Sequence, residues 1–177
     1  MASFPAALSA ALSAALTSHG LLLAWRVDTA VYARTWDSGF GAHKAGGRWN
    51  SKGIKAVYCA LDPATCILEA AVHKGFRTLD SVAHVLTGLQ ITDPACVKVV
   101  SADQAPNPAW LTAGSVSAGQ QAFGDRALDD PAQPFVLFPS VVSTRSWNLV
   151  FRPELARGKY TVYTQNPLAI DGRLTPP

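Results

Sequence analysis

One unit in the first half of the chain, a strand followed directly by a capped helix, constrains the fold most. Residues 54–60 read IKAVYCA, a β-branched and aromatic run that predicts a strand. Asp62 is placed to cap the following helix, and Pro63 suits the first helical position, where its missing N–H costs nothing. The helix continues through ATCILEAAVHK and ends at Gly75. Glu69, one of only two glutamates in the sequence, is therefore predicted to lie inside an apolar helix.

The remaining patterns predict an α+β domain. Strands and helices do not alternate regularly, which argues against a doubly wound parallel sheet. We find no interdomain linker, so the prediction is one compact domain. Strands are predicted at 21–27, 82–91, 96–103, 135–143, 146–153 and 159–166, a helix at 108–128 with an interruption near Gly114, loop with a short helix at 28–53, and an irregular tail at 167–177.

The N-terminal segment and the cysteines indicate in which compartment the protein is expected. Leu8, Leu12 and Leu16 recur four residues apart and predict an amphipathic helix ending near Gly20, so we divide the chain into an N-terminal helical extension, 1–20, and a main domain, 21–177. No Lys or Arg precedes this stretch, which argues against a secretory signal, and no run reaches the length of a membrane span. The three cysteines, 59, 66 and 96, show no metal-ligand spacing and indicate a reduced, cytoplasmic protein without a metal site.

The charges exclude some functions. Only 15% of the residues are charged, and the net charge of +3 comes from scattered Lys and Arg rather than a basic run. Direct nucleic-acid binding is therefore not expected. The glycine fingerprints of dinucleotide and phosphate loops are also absent.

Two charged residues are candidates for chemistry. Arg48 lies between Gly46–Gly47 and Trp49–Asn50, where glycines allow close backbone approach and a guanidinium can bind phosphate oxygens. A surface arginine beside a turn is the simpler interpretation of Arg48 alone. Glu69 either points to solvent or faces a polar cavity, and the rarity of glutamate in this chain favours the second alternative.

Four further residues could bind a ligand. Arg26 ends an apolar strand and needs a phosphate or a carboxylate such as Glu69 if it faces inward. Tyr58 either fills the core or offers a ring for stacking and a hydroxyl for orientation. Ser140 lacks the surroundings of a hydrolase nucleophile, so it is structural or donates a hydrogen bond to a ligand. Asn148 could support Ser140 or end a turn.

Taken in order, the segments WR, GGRWNSKG, VYCA, ILEA, FPSVV and WN resemble the RES domain, the toxin half of bacterial RES–Xre toxin–antitoxin pairs. The resemblance covers most of the chain, from about residue 21 to residue 163. It implies a fold similar to that of ADP-ribosyltransferase toxins, with mixed and antiparallel sheets and flanking helices. It also implies an enzyme that consumes NAD by cleaving its nicotinamide–ribose bond, as a glycohydrolase or, with phosphate as co-substrate, a phosphorylase.

The resemblance also implies roles for the candidate residues. Arg48, Glu69 and Ser140 would form the catalytic group, with Glu69 beside the nicotinamide ribose. Arg26 and Arg48 would hold the pyrophosphate and ribose, and Tyr58 would stack near the nicotinamide. Asn148 is grouped with these NAD-binding residues. NAD would be a substrate, with no resident cofactor.

The same resemblance implies an Xre-family helix-turn-helix antitoxin as partner, with the toxin as a homodimer or in a hetero-oligomer with its antitoxin. Two other activities remain open. One is mono-ADP-ribosylation of a host protein on the same fold. The other is an RNA-binding or ribonuclease toxin, favoured by Trp36, Trp49 and Trp147 if these are exposed. A plain binding module would not need Glu69.

Overall fold

Seven strands form one mixed sheet in the order β4-β5-β6-β2-β1-β3-β7. The computed structural model describes residues 21–171 and residue 173, so the predicted helix at 1–20 lies outside the described residues. Among the strands of the described residues, only β4 and β5 pair in parallel; the other pairs are antiparallel. The strands are β1 Leu22–Thr29, β2 Val57–Ala60, β3 His84–Ile91, β4 Val97–Val99, β5 Phe135–Pro139, β6 Trp147–Phe151 and β7 Tyr160–Leu168.

Five α-helices and four 3-10 segments connect these strands. The α-helices are α1 Phe40–Ala45, α2 Pro63–Lys74, α3 Phe76–Ser81, α4 Ala118–Ala127 and α5 Pro153–Ala156, and the 3-10 segments are Ala30–Thr35, Pro94–Cys96, Ala102–Gln104 and Pro108–Leu111. The α+β class is confirmed. None of the helices among the described residues is long and apolar enough to cross a membrane.

The predicted cap of α2 is confirmed. The Asp62 carboxylate accepts a hydrogen bond from the backbone N–H of Thr65 at 2.7 Å, and Pro63 occupies the first turn. Gly75 ends the helix with φ of 79°, a left-handed conformation that glycine adopts without strain. These contacts fix where α2 starts and stops, and so where Glu69 lies along it.

The sheet is buried on both faces at β5. Phe135 and Leu137 of β5 contribute to one apolar cluster, and Val136 and Phe138 contribute to a second. This alternation follows the two-residue period of a strand, and all four side chains are fully buried. The continuous run FVLF is therefore typical of a strand covered on both sides.

Several predicted boundaries were wrong. The strand predicted at 54–60 begins only at Val57, and the one predicted at 135–143 ends at Pro139. The predicted helix at 108–128 is a 3-10 turn followed, after an irregular stretch, by α4. The tail predicted to be irregular from residue 167 instead extends β7 to Leu168, because β3 pairs with it as far as His84.

The strands β1 and β2 diverge in the middle of the sheet. β1 pairs with β3 along its whole length, from Leu22 with Ile91 to Thr29 with His84. With β2 it shares a single register pair, Trp25 with Ala60. The sheet is therefore open between the last residues of β1 and the first residues of β2.

The GGRWNS loop, residues 46–51, packs closely against α4. A Cβ atom on Gly124 would lie 2.1 Å from the carbonyl oxygen of Trp49, so only glycine permits this approach. The Gln121 side chain donates to the Gly47 carbonyl at 2.9 Å, and both the N–H and the hydroxyl of Ser51 donate to Asp125. α4 thus holds the loop through backbone contact and hydrogen bonds.

We expect Gly124→Ala to lower the free energy of unfolding by about 1–3 kcal/mol, because helix and loop must separate to admit the methyl group. Gly119→Ala, in the same helix, is the matched control: its Cβ would meet the Trp110 ring at 3.6 Å, an ordinary contact. The control should be neutral or stabilising by less than about 1 kcal/mol. Urea denaturation of both variants measures this, and equal effects would contradict the close packing of α4 on the loop.

Candidate active site

A cleft of about 210 Å³ opens where β1 and β2 diverge. Helix α2 forms one wall, and β1, β2 and β6 form the others. The lining residues are Arg26, Val27, Asp28, Tyr58, Cys59, Ala60, Cys66, Glu69, Ala70, His73, Lys74 and Asn148. Of the six predicted site residues, four line this cleft: Arg26, Tyr58, Glu69 and Asn148.

Glu69 is held by two neutral donors on one oxygen. Its Oε1 accepts hydrogen bonds from Ser140 Oγ at 2.8 Å and from Asn148 Nδ2 at 2.7 Å. Among the described residues, none donates a hydrogen bond to Oε2. The carboxylate is thus oriented by one oxygen, while the other can interact with a ligand in the cleft.

Ser140 is buried behind Glu69, with 3% of its surface exposed. Its hydroxyl donates to Glu69 and accepts hydrogen bonds from the backbone N–H groups of Val142 and Ser143, at 3.2 and 3.0 Å. These contacts leave the hydroxyl oriented toward the carboxylate. Ser140 supports Glu69 and does not line the cleft itself.

The loop that carries Ser140 is tied to the start of α2. The Ser146 hydroxyl donates to Asp62 Oδ2 at 2.6 Å, and the Ser140 N–H donates to the Ser146 carbonyl at 3.0 Å. Asp62 therefore both caps α2 and anchors residues 140–146. This couples the donor Ser140 to the helix that carries its acceptor, Glu69.

Arg26 is paired with Asp28 and not with Glu69. Its Nη2 donates to Asp28 Oδ1 at 2.7 Å, and its Nη1 donates to the Tyr58 carbonyl at 2.9 Å, across the gap between β1 and β2. Burial alone would lower the pKa of Arg26, but the charge and hydrogen bond of Asp28, together with the neighbouring Cys59 and Cys66 side chains, raise it overall. Sequence reasoning missed Asp28, although residues two apart on a strand project to the same side.

Tyr58 lines the cleft, but its hydroxyl is engaged elsewhere. The hydroxyl donates to Asn50 Oδ1 at 2.7 Å and accepts from the Trp49 N–H at 3.0 Å. Burial raises the pKa of Tyr58, so the phenol stays neutral. The hydroxyl therefore organises the GGRWNS loop, and the predicted use of it to orient a ligand finds no support in these contacts.

Arg48 lies outside the cleft lining. Its Nη1 donates to the carbonyl oxygens of Trp110 and Thr112, at 3.1 and 3.4 Å. Gln120 donates to the same Trp110 carbonyl at 3.2 Å. Arg48 thus joins the GGRWNS loop to the segment at 110–112, and the structure does not bring it together with Glu69.

Burial disfavours the thiolate form of the two cysteines in the cleft. It raises the pKa of Cys66 to about 12 and also raises that of Cys59, which argues against either thiol as a nucleophile. Among the described residues, no group of His, Cys, Asp and Glu side chains could hold a metal ion.

Two of the three tryptophans whose exposure would favour the RNA-binding alternative are buried. Trp36 and Trp49 have 6% and 1% of their surface exposed, and Trp49 stacks on Phe138 with ring centroids 4.3 Å apart. These two side chains therefore do not form the exposed stacking surface that the RNA-binding alternative requires, because both complete apolar clusters.

Comparison with known proteins identifies the fold and the family of this chain. A chain of the M. tuberculosis MbcT–MbcA toxin–antitoxin complex has the same fold, with a TM-score of 0.67 at 20% sequence identity and 93% of each chain covered. The fold is thus one found in a toxin–antitoxin complex. The chain belongs to the RES domain family, whose sequence model matches residues 23–171. The resemblance noted in the sequence is confirmed.

Curated relatives in two other organisms carry toxin names. The chain is 29% identical over 133 residues to the "Prs ADP-ribosylating toxin" of Sphingobium sp., covering 73% of this chain and 81% of the relative. It is 30% identical over 145 residues to "Toxin Res" of Yersinia enterocolitica, covering 80% of this chain and 91% of the relative.

We expect Asp62→Asn to change how stability depends on pH. Partial burial would raise the pKa of Asp62, but hydrogen bonds from Ser146 and Thr65 lower it overall. A lowered pKa contributes stability above the unfolded value of 3.8, and this contribution is lost as the pH falls through the folded value. Asparagine still caps a helix but does not titrate.

The free energy of unfolding of wild type and Asp62→Asn should therefore differ less at pH 3 than at pH 7, measured by urea denaturation. Asp80→Asn, which removes an exposed carboxylate of α3, controls for the loss of one negative charge. A difference that is the same at both pH values would show that Asp62 does not anchor the loop as a carboxylate.

Proposed function

We propose that this chain cleaves the nicotinamide–ribose bond of NAD and acts as a toxin by consuming NAD. The observation that carries the proposal is the Glu69 carboxylate, oriented in the cleft through Oε1 by Ser140 and Asn148. Its Oε2 would lie beside the anomeric carbon of the nicotinamide ribose. Membership of the RES family supports NAD as the substrate.

Cleavage of the nicotinamide–ribose bond requires a fixed carboxylate, and Glu69 provides one in this cleft. As the C–N bond breaks, its electron pair moves to the nicotinamide nitrogen, and positive charge develops on the anomeric carbon. A carboxylate held in place before the reaction stabilises that charge more in the transition state than in the ground state. Nicotinamide leaves as a neutral ring, so no general acid is required. An acceptor oxygen then bonds to the anomeric carbon.

The other residues would position the substrate or Glu69. Ser140 and Asn148 fix the carboxylate, and the Tyr58 ring offers a wall for the nicotinamide. The Arg26–Asp28 pair carries no net charge, which suits contact with the ribose hydroxyls. We assign Arg48 a positioning role, since its guanidinium binds the carbonyls of Trp110 and Thr112. NAD is a substrate in this proposal, and no resident cofactor or metal is involved.

We further propose that an antitoxin restrains this activity in the cytoplasm, where its substrate is available. The MbcT–MbcA structure supports the idea of an antitoxin partner for this fold. From the RES–Xre resemblance we infer that this partner is an Xre-family helix-turn-helix antitoxin, with the toxin as a homodimer or in a hetero-oligomer with it.

A second candidate reaction is transfer of ADP-ribose to a protein. The name of the Sphingobium relative, an ADP-ribosylating toxin, favours it. The first step and the role of Glu69 are the same in both reactions. The two differ only in the acceptor: water or phosphate in NAD degradation, and a protein side chain in transfer.

We expect the purified protein to release nicotinamide from NAD, with products separated by chromatography in the presence and absence of phosphate. ADP-ribose would identify water as the acceptor, its 1-phosphate would identify phosphate, and labelled protein in a cell extract would identify transfer. Glu69→Gln should lower the rate about 100- to 1000-fold, because the amide keeps the shape but loses the charge.

Glu154→Gln is the matched control, since it changes the other glutamate, which pairs with Arg152 on the surface. It should leave the rate unchanged. Intact NAD with the wild-type protein, both alone and with cell extract, would overturn the proposal. Equal rates for wild type and Glu69→Gln would remove Glu69 from the mechanism.

A further inference from the structure

An arginine and a lysine line the cleft, and their environments differ. Arg26 is bound by Asp28 and by the Tyr58 carbonyl, so its charge is already balanced. Lys74 has no ion pair with a described carboxylate; its recorded contact is with His84. Lys74 is therefore the cleft cation whose charge an anionic ligand could use.

The contact with His84 leaves the Lys74 charge unneutralised. His84 is buried, with 2% of its surface exposed, and its Nδ1 lies in hydrogen-bond contact with the Val82 carbonyl. A carbonyl only accepts, so Nδ1 carries a proton, and an ammonium only donates, so Nε2 is the acceptor toward Lys74. The contact from Lys74 Nζ to Nε2 is long, at 3.5 Å, and involves no carboxylate. The imidazole thus orients the ammonium and leaves its positive charge available to an anionic ligand.

Lys74 also lies at a suitable distance from the reacting group. It is the last residue of α2, five residues beyond Glu69, and both side chains line the same cleft. Five residues of α-helix span about 7.5 Å along the axis. In NAD, the anomeric carbon and the nearest phosphorus are separated by one sugar ring and one methylene group, a span of similar scale.

We propose that Lys74 binds the phosphate on the nicotinamide side of the NAD diphosphate. This inference rests on the proposed function, since it takes Glu69 as the group beside the anomeric carbon. It gives to Lys74 the phosphate contact that the sequence suggested for Arg48, whose Nη1 is bound to backbone carbonyls.

The electrostatics of the ammonium agree with this role. Partial burial lowers the pKa of Lys74, Asp28 offsets part of this, and the Arg26 charge adds a smaller lowering effect, while the residue as a whole stays exposed. A partly desolvated ammonium gains from an added negative charge. A phosphate oxygen at Nζ would supply it.

The test compares three substrates that share the same glycosidic bond: NAD, nicotinamide mononucleotide and nicotinamide riboside, which lacks phosphate. Lys74→Gln should raise KM for NAD and for the mononucleotide by about 10- to 100-fold, the loss expected for one charged hydrogen bond. Its kcat/KM for the riboside should equal that of wild type. Lys74→Arg should recover most of the affinity for the two phosphate-containing substrates.

Arg77→Gln is the control, because it removes an exposed cation three residues further along the chain. Its KM and kcat/KM for each of the three substrates should equal those of wild type. A second arm needs no catalysis: inorganic pyrophosphate is titrated calorimetrically into wild type and Lys74→Gln. Pyrophosphate should bind wild type more tightly than the variant.

The outcomes separate this inference from the proposed function. Equal losses for all three substrates, or equal pyrophosphate affinity in wild type and Lys74→Gln, would overturn the role of Lys74 in phosphate binding. If wild type cleaves none of the substrates, the proposed function fails, and the pyrophosphate arm still decides whether Lys74 binds phosphate.

Discussion

The arrangement of the cleft follows from the hydrogen bonds that the half-buried Glu69 carboxylate requires. A buried charge is costly unless donors satisfy it, and Glu69 lies on a helix whose neighbouring residues are apolar. Its donors come from distant parts of the chain: Asn148 from β6, and Ser140 from the loop after β5. The Asp62–Ser146 bond holds that loop against the first turn of α2. The position of the helix, the course of the loop and the direction of the carboxylate are therefore set together.

A second set of contacts holds the glycine-rich GGRWNS loop in place. The Tyr58 hydroxyl bonds Asn50 and the Trp49 N–H, and a Cβ on Gly47 would lie 2.5 Å from that hydroxyl oxygen. On the other side, Gly124 lets α4 contact the Trp49 backbone. Trp49 itself stacks on Phe138 inside the second apolar cluster. The motif GGRWNS thus supports the wall of the cleft that carries Tyr58.

The sequence correctly predicted the features that depend on residues close together in the chain. Asp62, Pro63 and Gly75 mark the two ends of α2 because caps and turns depend on neighbours within a few residues. The group Glu69, Ser140 and Asn148 could be suspected from the family resemblance, and the structure brings these residues together. The partners of Arg26 and Arg48 could not be predicted. Asp28, Tyr58 and the carbonyls at 110–112 become neighbours only when strand pairing and loop packing are known, and charge alone suggested phosphates instead. Likewise, pairing with β3 extends β7 through Pro167, although the local sequence predicted an irregular tail from this residue.

The pairing of Arg26 with Asp28 has a consequence for Glu69. An arginine that bound Glu69 directly would neutralise the carboxylate and weaken its stabilisation of a developing cation. Because Asp28 and the Tyr58 carbonyl take up the Arg26 guanidinium, the hydrogen-bond donors to Glu69 among the described residues are a hydroxyl and an amide, both neutral. They orient the carboxylate and leave its charge in place. A cleft for an anionic substrate that kept every cation free would attract the phosphates strongly but would weaken the group that acts on the sugar. In the proposed function, Lys74 and Glu69 separate the two tasks, since phosphate binding and charge stabilisation would then occur about 7.5 Å apart along the axis of α2.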